Sequence, residues 1–279
     1  MSTTYEEKET LLKLENVGLS YGPKEILKNI NIEIKNIVKP NAHQGQIIAF
    51  LGRSGRGKSS LFRMITGLEK PTVGNVYIPE YEVKSGTKVN SGKMKIVHEG
   101  EVGFVDQKYT LFRHKTVNQA LHFSLRTSTL SEEEKQKKID KYLEDWGLLK
   151  NKNQYPNELS GGQRQRTAII EQLLSSSNYL VLDEPFSGLD VGNIQNVKNA
   201  FNLIDNSDDL NTILFSTHDI DLAVELADCI YILGYTKDSV IGEVVATFDL
   251  KKMGLAWKSD VSVEHYNLVK EIKNILLNS

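Results

Sequence analysis

One cysteine, Cys229, stands in the 279 residues. That excludes a disulfide framework and a cysteine-based metal cluster. Long apolar stretches are also missing: a run such as Ile47-Ile48-Ala49-Phe50-Leu51 is far shorter than the ~20 residues a bilayer span needs. The opening MSTTYEEKETLLKLE mixes charges and has no apolar centre, so it does not read as a secretory signal. Nor does either charge dominate. The net charge of -2 argues against a dedicated nucleic-acid binder, and no nucleic-acid partner is expected. These absences point to a cytoplasmic chain that reaches a membrane only through a partner. With 25% charged and 39% apolar residues, it has enough of both for one large domain or two small ones.

What is present alternates. Residues 14–19 and 30–34 alternate apolar with polar, as half-buried antiparallel strands do, around a turn at Tyr21-Gly22-Pro23. Residues 46–51, 179–182, 212–216 and 229–233 are continuous apolar runs, which suit parallel strands covered on both faces. Helical spacing predicts helices over 58–66, 117–125, 131–146, 163–174, 194–203 and 219–227, with a terminal helix over 261–277. Strand followed by helix predicts an α/β sheet. Residues 109–175 are almost wholly helical and read as a subdomain inserted between parallel strands. Residues 36–44, with Pro40, Asn41 and His43, read as a loop; residues 80–100, rich in Lys, Ser and Gly, read as a flexible hairpin insertion.

Two motifs carry chemistry on residue type and context alone. Gly52-Arg53-Ser54-Gly55-Arg56-Gly57-Lys58-Ser59 matches G-x-x-x-x-G-K-[ST], after an apolar strand and before a helix. Its glycines let backbone N–H groups curl around phosphate oxygens, and the following helix adds its positive end. Lys58 is expected to reach the β- and γ-phosphates and the Ser59 hydroxyl to bind Mg²⁺, while the Arg53 and Arg56 side chains are expected to be solvated. The second motif is Tyr179-Leu180-Val181-Leu182-Asp183-Glu184-Pro185, an apolar strand that ends in two acids. It delivers Asp183 to the edge of the sheet beside the phosphate loop, to hold Mg²⁺ directly or through water. Glu184 is then placed to orient or deprotonate the attacking water.

A third stretch is a poor helix start by local rules. Ser160 is a good N-cap, yet Gly161 and Gly162 each cost roughly 1 kcal/mol relative to alanine. Arg164 and Arg166 crowd the positive end of the helix dipole. Leu159-Ser160-Gly161-Gly162-Gln163, between a phosphate loop and an apolar Asp-Glu strand, resembles the signature of ATP-binding cassette (ABC) ATPases. Further pieces of that pattern appear in order. Tyr21 resembles the aromatic residue that stacks on adenine. Gln107, in Gly103-Phe104-Val105-Asp106-Gln107, resembles the glutamine that senses Mg²⁺ and the water. Ser187-Gly188-Leu189-Asp190 resembles the D-loop, and His218 resembles the switch histidine at the γ-phosphate. The match covers residues 12–245.

The resemblance implies a P-loop NTPase core with a mainly parallel sheet, an N-terminal antiparallel β subdomain and the inserted helical subdomain. It implies one ABC domain over 12–250 and a helical extension over 251–279. ATP and Mg²⁺ are the implied cofactors, and ATP hydrolysis the activity. Two cassettes, as a homodimer, are implied to meet head to tail, so that Ser160, Gly161, Gly162 and Gln163 of one face ATP on the other's phosphate loop. The sequence departs from the family pattern at Ser60, where threonine is usual, and at Glu171, where arginine is customary. Tyr109 to Val117 resembles the stretch by which such cassettes dock integral membrane permease subunits, so the implied place is the inner face of the cell membrane. Residues 232–250, with no long regulatory domain after them, resemble cassettes of small-anion importers. An exporter cassette for lipid or peptide, and a soluble cassette ATPase acting on nucleic acid or ribosomes, remain the alternatives.

Overall fold

The computed structural model describes residues 5–39, 44–84, 87–175, 178–189, 191–205, 210–236, 239–258 and 262–279. Ten strands form one sheet in the order β5-β4-β1-β2-β10-β9-β3-β8-β7-β6. Its centre is parallel: β6 (Gly103–Val105), β7 (Tyr179–Leu182), β8 (Thr212–Thr217), β3 (Gln46–Leu51) and β9 (Cys229–Thr236) run side by side in one direction. Every residue of β3, β7 and β8 is buried, as a strand covered on both faces requires. Alternate residues serve two cores. Ile47, Ala49 and Leu51 join Leu180, Ile213 and Ile230 on the face packed by most of the helices. Ile48 and Phe50 turn to the opposite face, where α1 (Lys58–Ile65) and the N-terminal strands lie.

The N-terminal strands β1 (Glu6–Tyr21) and β2 (Lys24–Val38) form an antiparallel hairpin, closed by a turn at Gly22 and Pro23. In β2 the pattern is direct, with Ile30, Ile32 and Ile34 buried and Asn29, Asn31 and Glu33 exposed. The hairpin is longer than its apolar alternation predicts. Asn36 lies inside β2 and is buried, and the pairs Glu7↔Ile37 and Glu6↔Val38 extend the ladder past it. The loop expected over 36–44 is therefore strand as far as Val38, because the charged start of β1 supplies a partner; residues 40–43 lie outside the described residues. The hairpin expected over 80–100 is formed by β4 (Val73–Lys84) and β5 (Thr87–Ile96), and starts earlier than the Lys-rich stretch suggests. Two strands were not anticipated: β6, and β10 (Ser239–Asp249), which runs antiparallel to β9.

The helical segment follows its local signals. Thr116 with Gln119 and Ser131 with Glu134 form capping boxes that open α2 (Val117–Ser124) and α3 (Glu132–Asp145). Helix α4 (Gly161–Ser175) packs on α2, and α5 (Val191–Asp205), α6 (Ile220–Leu226) and α7 (Val263–Asn278) complete the set. Leu268 and Ile272 of α7 are buried in the same core as the parallel sheet.

Helix α4 buries one acid among its apolar residues. Glu171 is 6% exposed, its Oε1 has no hydrogen-bond partner among the described residues, and burial pushes its carboxyl up to about 7. The folded chain thus favours the protonated form. The burial penalty is absent below the ordinary carboxyl range, grows as pH rises towards 7, and reaches on the order of 3 kcal/mol once the group is ionised. Glu171→Gln removes that titration. The urea midpoint of the variant relative to the parent should therefore rise between pH 5 and pH 8. A difference that stays constant over that range would contradict the buried ionisation.

Candidate active site

The phosphate loop leaves the end of β3 and closes on α1 at Gly57, which has φ of 88°. A Cβ there would lie 2.7 Å from Leu27 Cδ2, so the turn needs glycine for conformation and for space. Lys58 is 8% exposed and folds into the loop: its Nζ donates to the Gly52 carbonyl at 2.6 Å and the Arg53 carbonyl at 3.4 Å. Burial holds its ammonium below the usual lysine range, and Glu184, with Nζ···Oε1 of 3.8 Å, opposes that shift. Arg53, Ser54 and Ser59 are exposed and Ser60 is half-buried. The Arg56 side chain is not solvated as expected. Its guanidinium lies 3.5 Å from the centroid of the Tyr235 ring and donates to the Ser279 carbonyl at 2.9 Å.

At the end of β7, two strands bring their polar termini together. The Ser216 hydroxyl, from β8, donates to Asp183 Oδ1 at 2.6 Å and accepts from the Glu184 amide at 2.8 Å. The Asp183 amide donates to the Val105 carbonyl at 3.0 Å. Glu184 adopts φ of 51°, the left-handed region that for a non-glycine residue costs on the order of 1–3 kcal/mol. The surroundings over-determine it. The next carbonyl, of Pro185, accepts from Gln165 Nε2 at 2.7 Å and from the Tyr109 hydroxyl at 3.0 Å. The Glu184 carboxylate then sits between Lys58 and His218, whose Nδ1 lies 2.9 Å from Oε2.

Lys58, Asp183, Glu184 and His218 thus meet at one edge of the sheet. Gln107 joins through Ser187, its Nε2 donating to Oγ at 3.2 Å. Tyr21 is 53% exposed and its hydroxyl donates to Glu69, an acceptor that raises its pKa. Its ring is open for stacking. Asp190 lies outside the described residues. Sequence reasoning missed Ser216, Tyr109 and Gln165 as supports. Ser216 sits two residues before the quoted His218, and Gln165 two residues after the quoted signature, so proximity was the available signal.

The signature end of α4 faces elsewhere. Ser160 and Gln163 form a capping box, with the Ser160 amide donating to Gln163 Oε1 at 2.8 Å and the Gln163 amide to Ser160 Oγ at 3.3 Å. A Cβ on Gly161 would meet nothing within 4 Å in its own chain. Among the described residues, no hydrogen bond joins residues 160–163 to the phosphate loop. The donor set fits a hard cation: Asp183 Oδ2 accepts no hydrogen bond among the described residues, and the Ser59 hydroxyl is exposed beside the loop. Among those residues no group of three or more His, Cys, Asp or Glu could hold a metal by itself.

A family model described as ABC transporter matches residues 36–187. The chain is 35% identical over 229 residues to a probable sulfate/thiosulfate import ATP-binding protein CysA of Chlorella vulgaris, covering 82% of this chain and 89% of that protein. It is 34% identical over 266 residues to the sulfate/thiosulfate import ATP-binding protein CysA of Mesostigma viride, covering 95% of this chain and 71% of that protein. Among solved structures, the dimeric bacterial ABC transporter cassette MJ0796 superposes with a TM-score of 0.63 at 29% identity, over 86% of this chain and 99% of that one. The phosphate loop on its parallel sheet, the acid pair at the end of β7 and these matches place the chain in the ABC transporter family, as an ATP-binding subunit that hydrolyses ATP to power transport.

Proposed function

We propose that this chain powers import of a small oxyanion of the sulfate kind, as a pair of identical cassettes bound beneath separate membrane subunits at the inner face of the cell membrane. The observation that carries the catalytic part is the Glu184 carboxylate, held 2.9 Å from His218 Nδ1 and 3.8 Å from Lys58 Nζ in a backbone conformation that nothing local favours. Lys58 and the amides of residues 52–60 bind the β- and γ-phosphates, and Tyr21 stacks on adenine. Ser59 and Asp183 would hold Mg²⁺, with Gln107 close by, and the ion would neutralise phosphate charge. Glu184 orients and deprotonates the water, and His218 steadies that carboxylate and faces the γ-phosphate. Residues 12–250 act as one cassette with 109–175 as its helical arm, and 251–279 as an extension.

The second cassette is supported by the open start of α4. Its capping box satisfies only part of the helix end, and the space beside Gly161 admits a phosphate from another subunit. Asp190 is assigned to the same interface. The membrane subunit is supported by a cavity of about 620 Å³ between the end of α1 and the helical segment. Leu68, Phe112 and Phe123 remain exposed there, with Phe112 and Phe123 edge to face at 5.2 Å. Among the described residues no helix is long and apolar enough to cross a membrane. The relatives named for sulfate and thiosulfate import support the cargo class.

Glu184→Gln should lower ATP turnover by roughly 100-fold or more, the scale of a lost general base, and leave a dimer in Mg-ATP that size exclusion detects. A variant that stays monomeric with Mg-ATP contradicts the paired cassette. Lys58→Ala should abolish binding of a fluorescent ATP analogue while circular dichroism stays unchanged; retained tight binding would remove Lys58 from the phosphate site. In proteoliposomes holding the chain with its membrane subunits, labelled sulfate should accumulate with ATP. ATP-driven uptake of another solute in place of sulfate would overturn the cargo and leave the ATPase reading standing.

A further inference from the structure

The Glu171 carboxyl has no partner among the described residues of its own chain. Among the described residues no hydrogen bond or ion pair reaches it, although it is 94% buried by its 6% exposure. It lines the cavity of about 620 Å³ between α1 and the helical segment. Nearby groups that could answer it are engaged elsewhere. The Ser124 hydroxyl donates to the Ala120 carbonyl at 3.2 Å, and the Thr66 hydroxyl to the Phe62 carbonyl at 2.9 Å. The Phe104 amide donates to Gln172 Oε1 at 3.2 Å. Arg126, the cation on the cavity wall, donates to the Phe123 carbonyl at 3.3 Å and lies 4.6 Å from the Phe123 ring centroid.

A buried acceptor without a donor is expensive, and a buried carboxylate more so. The fold keeps one at the floor of an open cavity whose rim is apolar, with Leu68, Phe112 and Phe123 exposed. Glu99 and Glu101 line the same cavity, so its field is acidic, and Glu101 is paired with Lys95. Among the described residues no cluster could hold a metal ion there or elsewhere. The complement of an apolar rim over an acidic floor is an amphipathic segment with a long cationic side chain: its methylenes cross the rim and its head reaches the acid.

We propose that Glu171 receives a lysine or arginine from the cytoplasmic segment of the membrane subunit that docks in this cavity, and so selects which membrane subunit the cassette accepts. The proposal rests on the reading that this cavity seats the membrane subunit. Lysine and arginine are the long cations that can pass an apolar rim, and a guanidinium can satisfy both carboxylate oxygens at once. A cassette with a basic residue at this position would repel the same segment, which makes the pair discriminating as well as adhesive.

The test uses the full chain in the membranes of its own cell, with a photoreactive amino acid replacing Thr127 on the cavity wall. Mass spectrometry of the crosslinked peptide should return a cytoplasmic segment of an integral membrane protein that contains Lys or Arg. Glu171→Gln, close to isosteric, should shorten the lifetime of the purified complex at least tenfold. Glu171→Lys should lose the complex, and exchange of the partner's basic residue for Glu should restore it. A membrane segment with no basic residue at the crosslink, or no restoration by the charge swap, overturns the Glu171 pairing and leaves membrane docking intact. No membrane protein at the crosslink removes the docking reading, and the pairing with it.

Discussion

The Ser216 hydroxyl, between Asp183 Oδ1 and the Glu184 amide, is the contact on which the catalytic edge depends. Ser216 is fully buried at the end of β8, and β7 and β8 are locked in register along their length. One hydroxyl therefore fixes two consecutive acids: it accepts from the amide of one and donates to the carboxylate of the other. Asp183 Oδ2 accepts no hydrogen bond among the described residues, while Glu184 is turned by its positive φ towards Lys58 and His218. With the two donors on the Pro185 carbonyl, that bond holds the left-handed Glu184 against the more favourable right-handed and extended regions.

The same short turn ties the site to the helical segment. The Pro185 carbonyl takes hydrogen bonds from Gln165 on α4 and from Tyr109 just after Gln107. Gln165 is 1% exposed, so water does not compete for its amide. Any shift of α4 relative to β7 must stretch or break the 2.7 Å bond one residue from Glu184. The helix with the signature at its start is thereby coupled mechanically to the turn that carries Glu184.

Much of this was legible because the carrying features are local. The phosphate loop is a contiguous pattern, Asp183-Glu184 closes a continuous apolar run, and the helices from 117 and 131 show in their apolar spacing. What stayed hidden depends on partners distant in sequence. Asn36 reads as loop until the charged start of β1 pairs with Ile37 and Val38 beyond it. β10, whose residues are mostly half-buried, takes its place by pairing with β9, and β6 is three residues long. Arg56 looks solvated until Tyr235, remote along the chain, slides under it. Ser216 reads as the polar end of a strand, and only its register with β7 makes it a bridge.

Helix α4 carries two features that a single chain leaves unanswered. At its first turn a Cβ on Gly161 would meet nothing within 4 Å, and ten residues on, about 15 Å along the axis, Glu171 lines a cavity with no side-chain partner among the described residues. Local stability explains neither, since glycine in a first turn and a buried acid both oppose folding. On the proposed reading each waits for a different partner: a phosphate on the second cassette at one end, a cation on the membrane subunit at the other. A rigid helix between two such contacts cannot satisfy one without placing the other. The local penalties of α4 thus mark the element through which ATP-dependent pairing would be felt at the membrane.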